Sequence, residues 1–143
     1  MGLRFLLDTN VVSEPYKPSP NRALLARLGR HTGEIAIAAT TWFELTSGVA
    51  SMADGRNKAA RRAMLADIQR LAPILPYDER AAGWQGEEHV RLMKKGKCPP
   101  FADAQIAAIA WAFGLTLVTA NVKDFRGFLD LTVETWMSAP ARR

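Results

Sequence analysis

Cysteine is nearly absent from this chain, with Cys98 the only one in 143 residues. A lone thiol excludes an intrachain disulfide and a cysteine-built metal site, and it leaves thiol nucleophilic catalysis without support. Histidine is almost as scarce: His31 and His89 stand apart with no HExxH or similar pairing, and both read as surface or packing residues. No serine lies in a nucleophile elbow, and no glycine-rich loop is present to cradle a phosphate. Apolar runs stay far below the roughly 20 residues that a membrane span needs. The first residues also lack the basic, apolar and cleavage segments of a secretory leader, so the expectation is a cytoplasmic protein with no membrane association. Internal repeats and low-complexity segments are missing too, which argues against a solenoid or a disordered linker.

What remains is an ordinary length with an ample apolar share. With 48% hydrophobic residues in 143, the chain can bury a core, and a single domain over residues 1–143 is expected. The net charge of +5 comes from clusters at Arg56/Lys58/Arg61/Arg62, Lys94/Lys95/Lys97, Lys123/Arg126 and Arg142/Arg143. Such clustering suits a polyanionic partner, although solvated helix faces and a charged tail would read the same way.

Short β-like runs alternate with helical patterns. The strand candidates are Arg4 to Leu7, Ile35 to Ala38, Ile74 to Leu75, Leu115 to Thr119 and, more weakly, Leu131 to Val133. Alternation of this kind predicts an α/β fold with a mostly parallel sheet of four to five strands covered by helices, because parallel strands need crossover connections. Ala60, Met64, Ile68 and Leu71 recur at helical spacing and read as a core stripe. Further helices are expected from about Glu79 to Lys95 and from about Ala102 to Phe113, with Gly114 as a stop and Lys97-Cys98-Pro99-Pro100 as the breaker between them. Glu14 to Asn21 and Ala53 to Asn57 read as loops.

Acids fall at the ends of these elements. Phe5-Leu6-Leu7 runs into Asp8-Thr9-Asn10, which places a carboxylate beyond the carboxyl end of the first strand, where open α/β sheets bind ligands. Glu44 lies early in the helical run that follows the second strand; with Thr41 three residues before it, it also fits a capping box. Asp103 stands in the first turn of the helix after the two prolines, where a purely structural acid is also favoured. Leu117-Val118-Thr119 leads to Asn121 and Asp124, either of which alone would pass as turn chemistry. Taken together, these four regions offer hard oxygen ligands at strand ends and helix starts. Carboxylates gathered in this way repel one another unless a cation neutralises them, and Mg²⁺ or Mn²⁺ suits such donors.

With these stations in their order, the sequence resembles the PIN-domain proteins, specifically the VapC/FitB-type toxins of bacterial type II toxin–antitoxin systems. LLDTNVVSE, TTWFELTSGV, FADAQIAAIAWAFGLTLVTANVKDF and the closing LTVETW carry the resemblance over nearly the whole chain. It implies a three-layer PIN-like sandwich and a Mg²⁺-dependent endoribonuclease that hydrolyses RNA. By position, Asp8, Glu44 and Asp103 match the first three acids. At the fourth position, often Asp in the family, this chain has Asn121, with Asp124 three residues later. The resemblance therefore implies that Asp8 and Asp103 dominate metal binding. Glu44 would ligate directly or through water, or act as a base, while Thr9, Asn10, Thr119 and Asn121 orient the carboxylates. It further implies homodimerisation, a cognate VapB/FitA-type antitoxin and RNA phosphates held by the basic clusters. The alternative is a PIN scaffold that binds antitoxin or RNA without cutting. A haloacid-dehalogenase-like phosphatase also carries an Asp after its first strand, but Asp8-Thr9-Asn10-Val11-Val12 lacks the second Asp and the Gly-Thr of that class. A receiver-like domain would need a phospho-accepting Asp at a later strand end, which Ile35 to Ala39 does not offer.

Overall fold

Alternation along each strand decides the layering. In the computed structural model, which describes residues 2–138, Leu6 and Leu117 face one side of the sheet, while Phe5, Leu7 and Val118 face the other. Side chains of successive strand residues point to opposite faces, so strands buried on both faces read as continuous apolar runs.

Five strands form one sheet: β1 (Phe5–Leu7), β2 (Ile35–Ala38), β3 (Ile74–Leu75), β4 (Thr116–Val118) and β5 (Val133–Glu134), in the order β3-β2-β1-β4-β5. Every pairing is parallel, with Leu6 of β1 opposite Ala36 and Leu117. On one face lie α1 (Thr9–Ser13), α2 (Arg22–Arg30), α3 (Ala39–Ala50) and α4 (Arg56–Leu71), contributing Val11, Leu24, Val49 and Ile68. The other face is covered by α5 (Glu79–Lys94) and α6 (Phe101–Ala112), where Trp84, Leu92, Ile106 and Ile109 pack. The result is the three-layer α/β/α sandwich that the alternation predicts. From β1 the chain builds outward to β3, then returns to place β4 on the other side of β1, so the order reverses between β1 and β4. Ligands bind at such a reversal.

Several local expectations need correction. Asn21 caps α2, its side chain accepting from the Leu24 amide, and this helix carried no expectation from the sequence, since only Leu24 of its apolar residues is fully buried. Glu14–Tyr16, expected as loop, is a 3-10 turn with Glu14 buried: Glu14 accepts from the Asn21 amide and pairs with Lys17. Arg56 and Asn57 belong to α4 rather than to the loop before it. In that helix Ala60 and Leu71 are exposed, and the buried face is Met64, Leu65 and Ile68. β5 lies at Val133–Glu134, later than Leu131 to Val133. His31 stacks on Trp136 at 5.2 Å and lies 2.9 Å from a Glu34 carboxylate oxygen, while His89 is exposed. Trp84 is core and stacks on Trp111 at 5.3 Å. The Arg142/Arg143 pair falls outside the described residues.

Candidate metal centre

Asp8 follows β1 directly and serves as the N-cap of α1. The Thr9 amide donates to its Oδ1 at 2.8 Å, and the buried Thr119 hydroxyl at the end of β4 donates to Oδ2 at 2.8 Å. Asn10 clamps the same two strand ends, since its Oδ1 accepts from the Ala120 amide at 3.2 Å. Asp8 is only 6% exposed, and burial pushes its carboxyl above the usual range. The Thr119, Thr9 and Asn10 hydrogen bonds pull against that shift, and the charge of Asp124 adds to it.

Glu44 is the sixth residue of α3, which begins at Ala39 without a side-chain cap, so the Thr41/Glu44 capping box does not form. The Glu44 carboxylate turns toward the start of α1 instead, where the Thr9 hydroxyl donates to its Oε1 at 2.8 Å. Thr41 supports the arrangement with its hydroxyl 3.3 Å from that of Thr9. Asp103 stands in the first turn of α6, half-buried and free of any capping bond. Thr40 of α3 donates to Gln105 of α6 at 3.1 Å and holds the two helices that carry Glu44 and Asp103 together. Burial raises the Asp103 carboxyl above its ordinary range, and the negative charges of Asp8, Asp124 and Glu44 raise it further.

Asp8, Thr9, Asn10, Glu44, Asp103, Asn121 and Asp124 all line one cavity of about 310 Å³. Thr119 lies behind it, bonded to Asp8 and accepting the Asn121 amide at 3.0 Å. Every candidate from the sequence therefore meets at one place. Asn121 and Asp124 are both at the exposed mouth, so the structure brings in the two together rather than choosing between them. Ser13 and Phe125 also line the cavity and were missed from the sequence. Ser13 is legible only as the last residue of α1, where its hydroxyl donates to the Thr9 carbonyl, and Phe125 only as a large apolar residue after a turn.

Among the described residues no lysine or arginine lines this cavity. Four carboxylates without a counter-ion, one of them raised by the other three, form a donor set suited to a hard divalent cation. Among the described residues no three acidic, histidine or cysteine groups close into a ready ligand cage. The room between them suits an ion that keeps part of its water shell, as Mg²⁺ does.

The PIN domain family model matches residues 5–128, which contain all of these groups. The chain is a PIN-domain protein of the VapC/FitB type. Toxin FitB of Neisseria gonorrhoeae is 36% identical over 126 residues, covering 84% of this chain and 89% of FitB. The tRNA(fMet)-specific endonuclease VapC of Salmonella typhimurium is 30% identical over 135 residues, covering 94% and 98% of the two chains. Among solved structures, the FitAB complex bound to the IR36 DNA fragment superposes with a TM-score of 0.86 at 31% identity, over 97% of this chain and 99% of the other. DNA-bound VapBC from Salmonella typhimurium gives 0.81 at 27%, over 94% and 98%. The five parallel strands and six helices match the PIN fold of these complexes. Among the described residues no helix is long and apolar enough to cross a membrane.

Proposed function

We propose that this PIN-domain protein is the toxin of a type II toxin–antitoxin module, a divalent-metal-dependent endoribonuclease that hydrolyses RNA phosphodiester bonds. The observation that carries the reading is the convergence of Asp8, Glu44, Asp103 and Asp124 on one cavity with no basic residue among the described residues of its lining. Relatives named ribonuclease or endonuclease VapC support it. Neighbouring structures of toxin–antitoxin complexes support a cognate VapB/FitA-type antitoxin and a hetero-oligomer.

Asp8 and Asp103 would hold the ion, Mg²⁺ with Mn²⁺ as a substitute, and Asn121 would add a neutral carbonyl oxygen at the mouth. A bound divalent ion supplies a lowered water pKa and neutralises charge on the phosphate. The chain's own residues do the positioning. The Thr9 amide bonds Oδ1 of Asp8, and the Thr119 hydroxyl and the Asn10 side-chain amide bond Oδ2; together they fix its rotamer and leave a lone pair on Oδ1 free. Glu44 is anchored through Oε1, so its Oε2 is left to take a proton from the attacking water. Asp124 adds negative charge at the entrance and raises the cation affinity of the set.

The test is incubation of total RNA with antitoxin-free protein, in Mg²⁺ and in EDTA, beside Asp103→Asn. Discrete fragments that require both the ion and Asp103 are expected. Folded protein that yields none in Mg²⁺ or Mn²⁺ would turn the reading to a scaffold that binds antitoxin or RNA without cutting, the outcome that Asn121 at the fourth position favours.

A further inference from the structure

A second cavity, about 600 Å³, opens beside the acidic one and shares Asn121 and Asp124 with it as a common wall. Its remaining walls include Lys123, Arg126, Glu134 and Thr135, from the turn after β4 and the open edge strand β5. Unlike the acidic cavity, this one has a lysine and an arginine in its lining, beside Asp124 and Glu134. Lys123 and Arg126 are both exposed and form no ion pair with another described residue. By contrast, Lys58, Arg70 and Arg91 are all paired with acids.

We propose that this groove is the subsite for the nucleotide flanking the scissile phosphodiester, with Lys123 and Arg126, the two cations in a lining that also holds the acids Asp124 and Glu134, holding that nucleotide's phosphate. The inference rests on the nuclease reading of the neighbouring acids. Its physical basis is the contrast in charge across a shared wall. The acidic cavity repels a phosphate until a cation enters, so an RNA strand needs a separate anchor close by, and the unpaired cations supply it. Glu134 repels phosphate in turn and directs the backbone to the Lys123 and Arg126 end. The base then lies along β5 beside Glu134 and Thr135. One Glu134 oxygen already accepts from the Trp136 indole at 2.8 Å, which fixes that side chain, and the other is open to a base amino group.

The experiment compares the parent with Lys123→Ala/Arg126→Ala, using Arg27→Ala/Arg30→Ala on α2 as a control of equal charge. Two substrates are cut in Mg²⁺: a single-stranded oligoribonucleotide, and a dinucleotide that has the scissile phosphate but no flanking one. Binding of the oligoribonucleotide in EDTA is followed against salt, so that this readout does not depend on cleavage. For the groove variant, KM for the oligoribonucleotide should rise several-fold with kcat unchanged, while the dinucleotide is cut as by the parent. Its salt slope should become shallower by about 0.7, the share of the one phosphate charge that the two side chains no longer neutralise. The control should match the parent throughout. An unchanged KM and salt slope, or an equal loss on both substrates, would overturn the subsite. If the parent cuts neither substrate, the nuclease reading fails, and the salt slope still decides whether the groove holds phosphate.

Discussion

Thr119 shows how much of this site depends on a single hydroxyl. It is fully buried, donates to Asp8 and accepts from the Asn121 amide, so it joins the first carboxylate to the mouth of the cavity. Thr119→Val keeps the shape and removes both bonds. Because the Thr119 bond lowers the Asp8 pKa against burial, its loss should raise that pKa further. The apparent Mg²⁺ affinity or activity is expected to fall about 10–100-fold, the usual cost of losing such an orienting partner. The acid limb of the pH–rate profile should move to higher pH; an unmoved limb would separate Thr119 from Asp8 ionisation. Gln85 offers a prediction of the opposite sign. It is buried beside Leu92 and Phe128, and its Oε1 accepts no hydrogen bond among the described residues. Gln85→Met should raise stability by roughly 1 kcal/mol by removing an orphaned acceptor, as measured by urea denaturation.

At the scale of elements, α5 is pinned to the segment before β5 by one buried acid. Glu88 accepts two bonds from Arg91, at 2.7 and 2.8 Å, and one from the Leu129 amide at 2.7 Å, while Arg91 also donates to the Gly127 carbonyl at 2.7 Å. The Arg91 guanidinium holds the Glu88 carboxyl below the usual range, with burial opposing and the Leu129 amide assisting. A carboxylate with a depressed folded pKa contributes stability above its unfolded pKa, about 4.3, and loses that contribution as pH falls through the folded value. Glu88→Gln should therefore cost about 1–3 kcal/mol at neutral pH, with parent and variant converging in strong acid. Equal melting temperatures at pH 7 would show that α5 is held by Trp84 and Leu92 packing alone.

Across the whole molecule, the acids are a liability to the fold until they are neutralised. Burial and the charges of Asp8, Asp124 and Glu44 all raise Asp103, so its ionised form is less favourable in the folded chain than in the unfolded one. The metal-free protein should gain stability as pH is lowered from neutral through the raised folded pKa of Asp103, and stop gaining below its unfolded value of about 3.9. Asp103→Asn should melt higher than the parent at neutral pH in EDTA while losing cleavage, the exchange of stability for activity expected at a strained site. Mg²⁺ should raise the melting temperature of the parent and leave the variant nearly unmoved. A variant that melts below the parent in EDTA would show that Asp103 supports α6 rather than straining the site.

The sequence by itself determined the layers and the acids. Apolar runs buried on both faces can only be inner parallel strands, and Asp8, Glu44, Asp103, Asn121 and Asp124 are visible where those runs end. Only the tertiary structure decided their company. Periodicity reports one face of one element, so it missed α2, whose register rests on the Asn21 cap and a single buried leucine, and it made core of Ala60 and Leu71. A local spacing rule offered Glu44 a cap on its own helix, yet the Thr9 hydroxyl, 35 residues away, turned it toward Asp8. The reversal of strand order between β1 and β4 brings Asp8 against Thr119 and sets Asn121 and Asp124 between the acidic cavity and the groove that holds Lys123 and Arg126. The Asp8–Thr119 bond joins segments more than a hundred residues apart, and such distances close only when the sheet forms.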